Sequence, residues 1–171
     1  MARARARRTS VFALAAAFAV LDLAVKGIAE RAWATTPLDL GVIQLRLAYN
    51  RGMAFSVGSA LPGWIILTLT AALTIGLGVY LWRDAPAVSR PVSVALAAVL
   101  AGAAANLIDR AGDGVVTDYL HTGWWPTFNL ADALIVTGGI LAALLNLRPE
   151  GSDAMSCAPA VGDPRPEAVV E

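Results

Sequence analysis

One cysteine, Cys157, and one histidine, His121, occur in 171 residues. A single thiol excludes an intramolecular disulfide framework and a thiolate metal cluster. A single imidazole excludes the HExxH zinc arrangement and leaves a Ser-His-Asp triad dependent on one short loop. Charge is scarce as well: Asp, Glu, Lys and Arg supply 15% of the chain, where a soluble domain carries about 25%. Apolar residues reach 57% and the mean hydropathy is +0.63. A chain of this composition is expected in a bilayer.

Crossing roughly 30 Å of hydrocarbon takes about 20 helical residues. Four stretches are long enough: Val11–Ala29, Leu61–Trp82, Pro91–Ile108 and Phe128–Leu147. Pro91 suits a first helical turn, where its missing N–H would be unpaired in any case. RDAPAVSR then joins the second and third spans as a hairpin. The basic start before Val11 also resembles a cleaved leader, but Asp22, Lys26 and the length of the run favour a retained anchor.

Cations near span ends stay on the cytoplasmic side. Arg3, Arg5, Arg7 and Arg8 precede the first span, Arg83 and Arg90 flank the hairpin, and Arg148 follows the fourth. Both termini are therefore expected in the cytoplasm, although Arg31, Arg46, Arg51 and Arg110 weaken the bias. Trp33, Trp64, Trp124 and Trp125 then fall at the outer ends and Trp82 at the inner end, as an aromatic belt requires. Residues 1–148 read as one membrane domain. Residues 149–171, rich in Pro, Ala and acids, read as a disordered cytoplasmic tail that carries Cys157. In the first outer loop, Leu38–Asn50 partly alternates apolar and polar residues, which predicts a strand able to pair with VVTDYL.

Chemistry is best sought among polar residues that a membrane disfavours. Asp118 in VVTDYL and Asp132 in FNLADALI both map to the outer face and form the candidate catalytic pair. Two carboxylates sharing a site cannot both ionise cheaply, so one holds a proton while the other activates water. Asn129 and Asp132 also read as a helix cap and a dipole partner, an explanation equally good for those two alone. Asp22 and Lys26 stand four apart, the spacing of a helical ion pair, with Lys26 able to snorkel. Asn106, Asp109 and Arg110 share a helical face, either to present an amide and guanidinium to substrate or to close the helix end. Ala101, Gly102 and Ala105 permit close approach of another helix. A Ser56–Lys26 dyad is a second enzymatic option.

An acid and a lysine in the first span, NRGMAFS, the block NLIDR, VTDY and FNLAD follow one another at the outer ends of the spans. In this order the blocks resemble the lipoprotein signal peptidases, or signal peptidases II, over roughly Asp22 to Ile135. The resemblance implies four transmembrane helices with a small extracytoplasmic β-cradle, an all-α membrane class, in the bacterial inner membrane with the active site at its outer face. It implies an aspartic endopeptidase that cuts diacylglyceryl-modified prolipoproteins before the lipidated cysteine. Asp118 and Asp132 would be its catalytic dyad. Asn50, Gly52, Asn106, Arg110 and Asn129 would bind substrate, and Asp22, Lys26 and Asp109 would support the site, with Asp109 the alternative acid. The expected partners are the prolipoprotein and membrane lipid, acting on a monomer, with no metal, cofactor or nucleic acid.

Departures from the family pattern are local. AGAAAN stands where GGAxGN is common, so Ala101 and Ala105 add two methyl groups at a helix contact. Tyr119 replaces a usual Phe, and Ala133 a usual Ser. A different class remains open to the residues themselves: a small proton-coupled transporter, whose acids would sit near the bilayer midplane. A noncatalytic assembly factor would tolerate their neutralisation.

Overall fold

The computed structural model describes residues 1–52 and 61–147. Ser56, the last four residues of NRGMAFS, Arg148, Cys157 and the expected tail lie outside the described residues. Among the described residues the chain is mostly helical: α1 (Ala2–Ala32), α2 (Gly63–Asp84), α3 (Arg90–Asp113) and α4 (Leu130–Asn146). Three strands, β1 (Leu38–Asp39), β2 (Gln44–Asn50) and β3 (Val116–His121), form one antiparallel sheet in the order β1-β2-β3.

The first three helices are long and apolar enough to cross a membrane, whereas α4 has 17 residues. The expected start of the fourth stretch at Phe128 is two residues early. Phe128 is extended and pairs with Leu120 of β3, its N–H donating to Leu120 O at 3.0 Å and its carbonyl accepting from Leu120 N at 2.8 Å. Asn129 then caps the helix. The third stretch runs past the expected Ile108 to Asp113, so NLIDR is wholly helical, and it ends where Gly114 takes φ +88°. Only glycine adopts that left-handed cap without a Cβ penalty.

Helix α3 is central and packs on α1, α2 and α4. Its contact with α4 is glycine-close. A Cβ at Gly102 would run into the Ala131 carbonyl, and one at Gly138 would stand 2.6 Å from Ala95 O. Both obstacles are backbone, which cannot turn aside as a side chain can. Ala101 packs with Val11, Ala15, Leu81 and Leu100, and Ala105 with Ala19 and Ala131, all buried. The two methyl groups at Ala101 and Ala105 are thus inside buried apolar clusters.

The predicted strand Leu38–Asn50 is interrupted by a turn at Gly41, and its second half pairs with β3 as Ala48↔Asp118, Tyr49↔Thr117 and Asn50↔Val116. This pairing lays β3 over the ends of α1, α3 and α4, where Val116, Thr117, Asp118 and Tyr119 are all buried.

Candidate functional site

Each of the two proposed carboxylates is placed by an element that the local sequence dictates. Asp118 sits mid-strand in β3, only 2% exposed. Asp132 occupies the first turn of α4 as half of a capping box: its N–H donates to Asn129 Oδ1 at 2.8 Å, while Asn129 N donates back to Asp132 Oδ2 at 3.4 Å. The capping explanation for Asn129 and Asp132 is therefore correct.

Two amides link the carboxylates. Asn129 Nδ2 donates to Asp118 Oδ1 at 2.7 Å, and Asn106 Nδ2 donates to Asp132 Oδ1 at 2.8 Å. Asn129 Nδ2 also reaches Asn106 Oδ1 at 3.2 Å. Neither amide is free to flip. Asn129 Oδ1 faces a backbone N–H, and Asn106 Oδ1 faces the Lys26 ammonium at 2.7 Å, both of them donors without acceptor capacity. Each Nδ2 must then point at a carboxylate. The array has no Ser, His or Cys nucleophile in contact with it among the described residues. It can hold one proton and one negative charge close together, which is what general acid and base attack on a peptide needs.

Burial, followed by the charge of Asp132, pushes the Asp118 carboxyl up to about 7, against hydrogen bonding from Asn50 and Asn129 and the Lys26 charge. At neutral pH Asp118 is thus poised between its acid and carboxylate forms.

Beneath this pair, Lys26 is 2% exposed and bonds Asp22 Oδ2 and Asp109 Oδ2, each at 3.0 Å. The expectation that Lys26 snorkels is corrected. Its ammonium is enclosed because two acids and the Asn106 carbonyl satisfy all three of its donors. Asp22 Oδ1 in turn accepts from Tyr119 Oη and Ala131 N, both at 3.1 Å, tying α1 to β3 and to the start of α4. Asp109 accepts from Thr117 N at 2.8 Å.

The shared face of Asn106, Asp109 and Arg110 divides its labour. Asp109 turns to Lys26 and Thr117, while buried Arg110 donates from Nη2 to Gly52 O at 2.6 Å. No Asp109–Arg110 closure of the helix end forms: Asp109 is taken up by Lys26 and Thr117, and Arg110 by the Gly52 carbonyl. Arg110 Nε is buried without a hydrogen-bond partner among the described residues. Asn50 is both the expected turn residue, its Oδ1 accepting from Gly52 N at 2.9 Å, and a hydrogen-bond partner of Asp118.

Reading by residue type missed Tyr119, Thr117 and Glu30. Tyr119 Oη donates to Asp22 and accepts from Leu130 N at 3.0 Å, and Thr117 Oγ1 donates to Glu30 Oε1 at 3.2 Å. The usable signal was Tyr119 in an apolar strand, since a buried phenol needs a partner.

Comparison with known proteins bears on the chain as a whole. A protein-family profile described as signal peptidase (SPase) II matches residues 14–148. A lipoprotein signal peptidase of Methylobacterium radiotolerans is 39% identical over 127 residues, covering 70% of this chain and 72% of the relative. One of Mycobacterium avium is 31% identical over 146 residues, covering 80% and 78%. A solved bacterial membrane enzyme, determined by the in meso method, superposes with TM-score 0.68 at 25% identity over 81% of this chain and 88% of that one. Another gives TM-score 0.70 at 21% identity over 82% and 94%, a likeness of fold.

Proposed function

The chain belongs to the signal peptidase II family, and from that premise we propose how its residues carry out the reaction. The protein is a membrane aspartic endopeptidase that removes signal peptides from lipoprotein precursors. Family membership replaces the transporter and assembly-factor readings.

Asp118 and Asp132 are its catalytic dyad. The observation that carries this assignment is the pair of locked amides, each aiming its Nδ2 at one carboxylate. Asp132, with N–H donors on both oxygens, holds the negative charge. Asp118, buried and raised to about 7, holds the shared proton. A water between them loses a proton to Asp132 as its oxygen attacks the carbonyl carbon before the lipidated cysteine. The tetrahedral intermediate collapses with breakage of the C–N bond, and the leaving amine takes a proton from Asp118. Asn106 and Asn129 position the carboxylates, while Asn50, Gly52 and Arg110 receive the extended backbone. Asp22, Lys26 and Asp109 brace the floor.

The substrate is a diacylglyceryl-modified prolipoprotein, taken laterally with its acyl chains left in the bilayer. Helix α4 is the fourth span. At about 1.5 Å per residue its 17 residues reach about 26 Å, and the capping segment before it extends the crossing to the headgroup level. Both termini lie on the cytoplasmic side of the bacterial inner membrane, the dyad and the sheet at its outer face. Residues 1–148 make the peptidase domain of a monomer, and 149–171 take no part in catalysis.

The test is signal-peptide release from a diacylglyceryl prolipoprotein in detergent, followed on a gel. Asp118→Asn and Asp132→Asn should each lose at least about 10³-fold in rate while remaining folded, and Asp109→Asn should retain turnover. Near-normal cleavage by either of the first two would sink the dyad. A dead Asp109→Asn beside a living Asp118→Asn would move the acid to Asp109.

A further inference from the structure

A cavity of about 830 Å³ lies at the end of the helical body opposite the dyad, between the N-terminal ends of α1 and α3. Along α3 it is separated from Asn106 by about 20 Å at 1.5 Å per residue. Its rim carries Arg3, Arg7 and Arg90, and no acid among the described residues lines it. Its wall continues into Val11, Leu14 and Val94. Charge at the mouth with hydrocarbon along the wall is the pattern of an amphiphile, not of a free ion.

The arginines differ in how they are engaged. Arg7 binds the Pro86 and Val88 carbonyls and Ser93 Oγ, which fixes its guanidinium to the hairpin. Its Nε is buried without a hydrogen-bond partner among the described residues. Arg3 and Arg90 are exposed and make no hydrogen bond or ion pair with other described residues. Helix α3 adds the positive end of its dipole, and its N-cap Ser89 makes no side-chain capping bond. One fixed and two uncommitted guanidiniums over an apolar groove present bidentate donors to a phosphodiester, with room below for an acyl chain.

We infer that this groove binds one anionic phospholipid of the adjoining leaflet, its phosphate on Arg3, Arg7 and Arg90 and one chain along Val11, Leu14 and Val94. The inference rests on the chain's residence in a bilayer and not on the dyad. The apolar wall decides for a lipid over inorganic phosphate, which shares only the headgroup chemistry.

The test uses the full chain in a neutral maltoside detergent, with bound lipid counted by native mass spectrometry. Dioctanoyl phosphatidylglycerol should be retained in preference to dioctanoyl phosphatidylcholine, and excess inorganic phosphate should not displace it. Arg3→Gln with Arg90→Gln should weaken retention about thirtyfold, from the loss of two surface cations. Val94→Trp, which fills the apolar wall and leaves every charge, should weaken it too. Signal-peptide release in the same detergent should be unchanged in both variants, and this reports that they are folded. Equal retention of the two lipids by wild type, unchanged retention in the paired Gln variant, or displacement by phosphate alone would each overturn the inference. Should the paired variant fail to cleave, Val94→Trp decides it. The lipid count is read without proteolysis, so it stands or falls apart from the peptidase assignment.

Discussion

The two ends of the helical body both use cations, and they use them in opposite ways. At the dyad end one ammonium, Lys26, is sealed between Asp22, Asp109 and Asn106. At the arginine end the guanidiniums stay near the surface. Arg7 and Arg8 donate to carbonyls of the α2–α3 hairpin, with Arg8 also 5.7 Å from the Trp82 ring centroid. The first arrangement crowds buried acids together and so needs a buried countercharge. The second satisfies carbonyls at a helix C-terminus, where an exposed cation is stabilising at little desolvation cost. The molecule thus keeps its expensive electrostatics at one end, next to the proposed dyad.

The sharpest way to break this contrast is to remove one cation from each end. Lys26→Met leaves Asp22 and Asp109 without their countercharge and should cost about 3–5 kcal/mol. Arg8→Met, at a half-buried site with solvent beside it, should cost about 1 kcal/mol or less. Thermal denaturation of both variants in one detergent gives the comparison, and equal losses would erase the distinction.

Acidity provides the next test, because burial and the charge of Asp132 raise the Asp118 carboxyl to about 7. Asp118 holds its proton up to about 7, whereas in the unfolded chain a carboxyl loses it near 3.8. A raised folded value means that the stability contributed by the neutral form is complete below the unfolded value. It is lost as pH rises toward about 7, a change of order a few kcal/mol. Asp118→Asn cannot ionise, so its stability relative to wild type should improve between pH 4 and pH 8. Turnover by wild type should fall above about pH 7, as the dyad loses its shared proton. A flat stability difference over that range would show that Asp118 titrates normally. Arg8→Met should show no such pH dependence.

The contrast between the ends also explains what could be read from residues alone. The helix positions, the capping role of Asn129 and the pairing of VVTDYL with the first outer loop were legible, because hydropathy, helix caps and strand alternation are local. Three features were not. Lys26 read as snorkelling, since burial of an ammonium depends on partners 80 and more residues away. The contacts of Asn106, held between Lys26 and Asp132, are a tertiary fact. Phe128 read as helical because its apolar character cannot distinguish a span from an extended residue bridging to Leu120.

Backbone proximity separates the two ends as well. Gly102 lies beside Ala131, one residue before Asp132, while Gly138 lies beside Ala95, toward the arginine end. Alanine at either position must push α3 from α4, at a cost of about 1–3 kcal/mol. The stability losses should be comparable, but the catalytic ones should not. Gly102→Ala displaces the cap that carries Asp132 and should lower kcat by about 10-fold or more, as misplacement by an ångström does. Gly138→Ala should leave kcat within about twofold once protein is compared at temperatures well below its transition. Similar kcat losses would mean that the two contacts move α4 as one rigid rod.

The smallest effect expected is at two buried hydroxyls, one for each end. Tyr119 Oη joins Asp22 to the Leu130 amide, and Ser93 Oγ donates to Ser89 O at 3.0 Å while accepting from Arg7. Tyr119→Phe should cost about 1–2 kcal/mol, because the Leu130 amide and one Asp22 contact lose their partner inside the protein. Ser93→Ala should cost about 1 kcal/mol or less, since Arg7 keeps two carbonyl acceptors. The hydrogen bonds of the phenol run to Asp22 and to the Leu130 amide, so it ties α1 to the start of α4. Tyr119→Phe should therefore leave the pH profile of cleavage unchanged. A shifted basic limb would instead place its hydroxyl among the groups that set the acidity of Asp118.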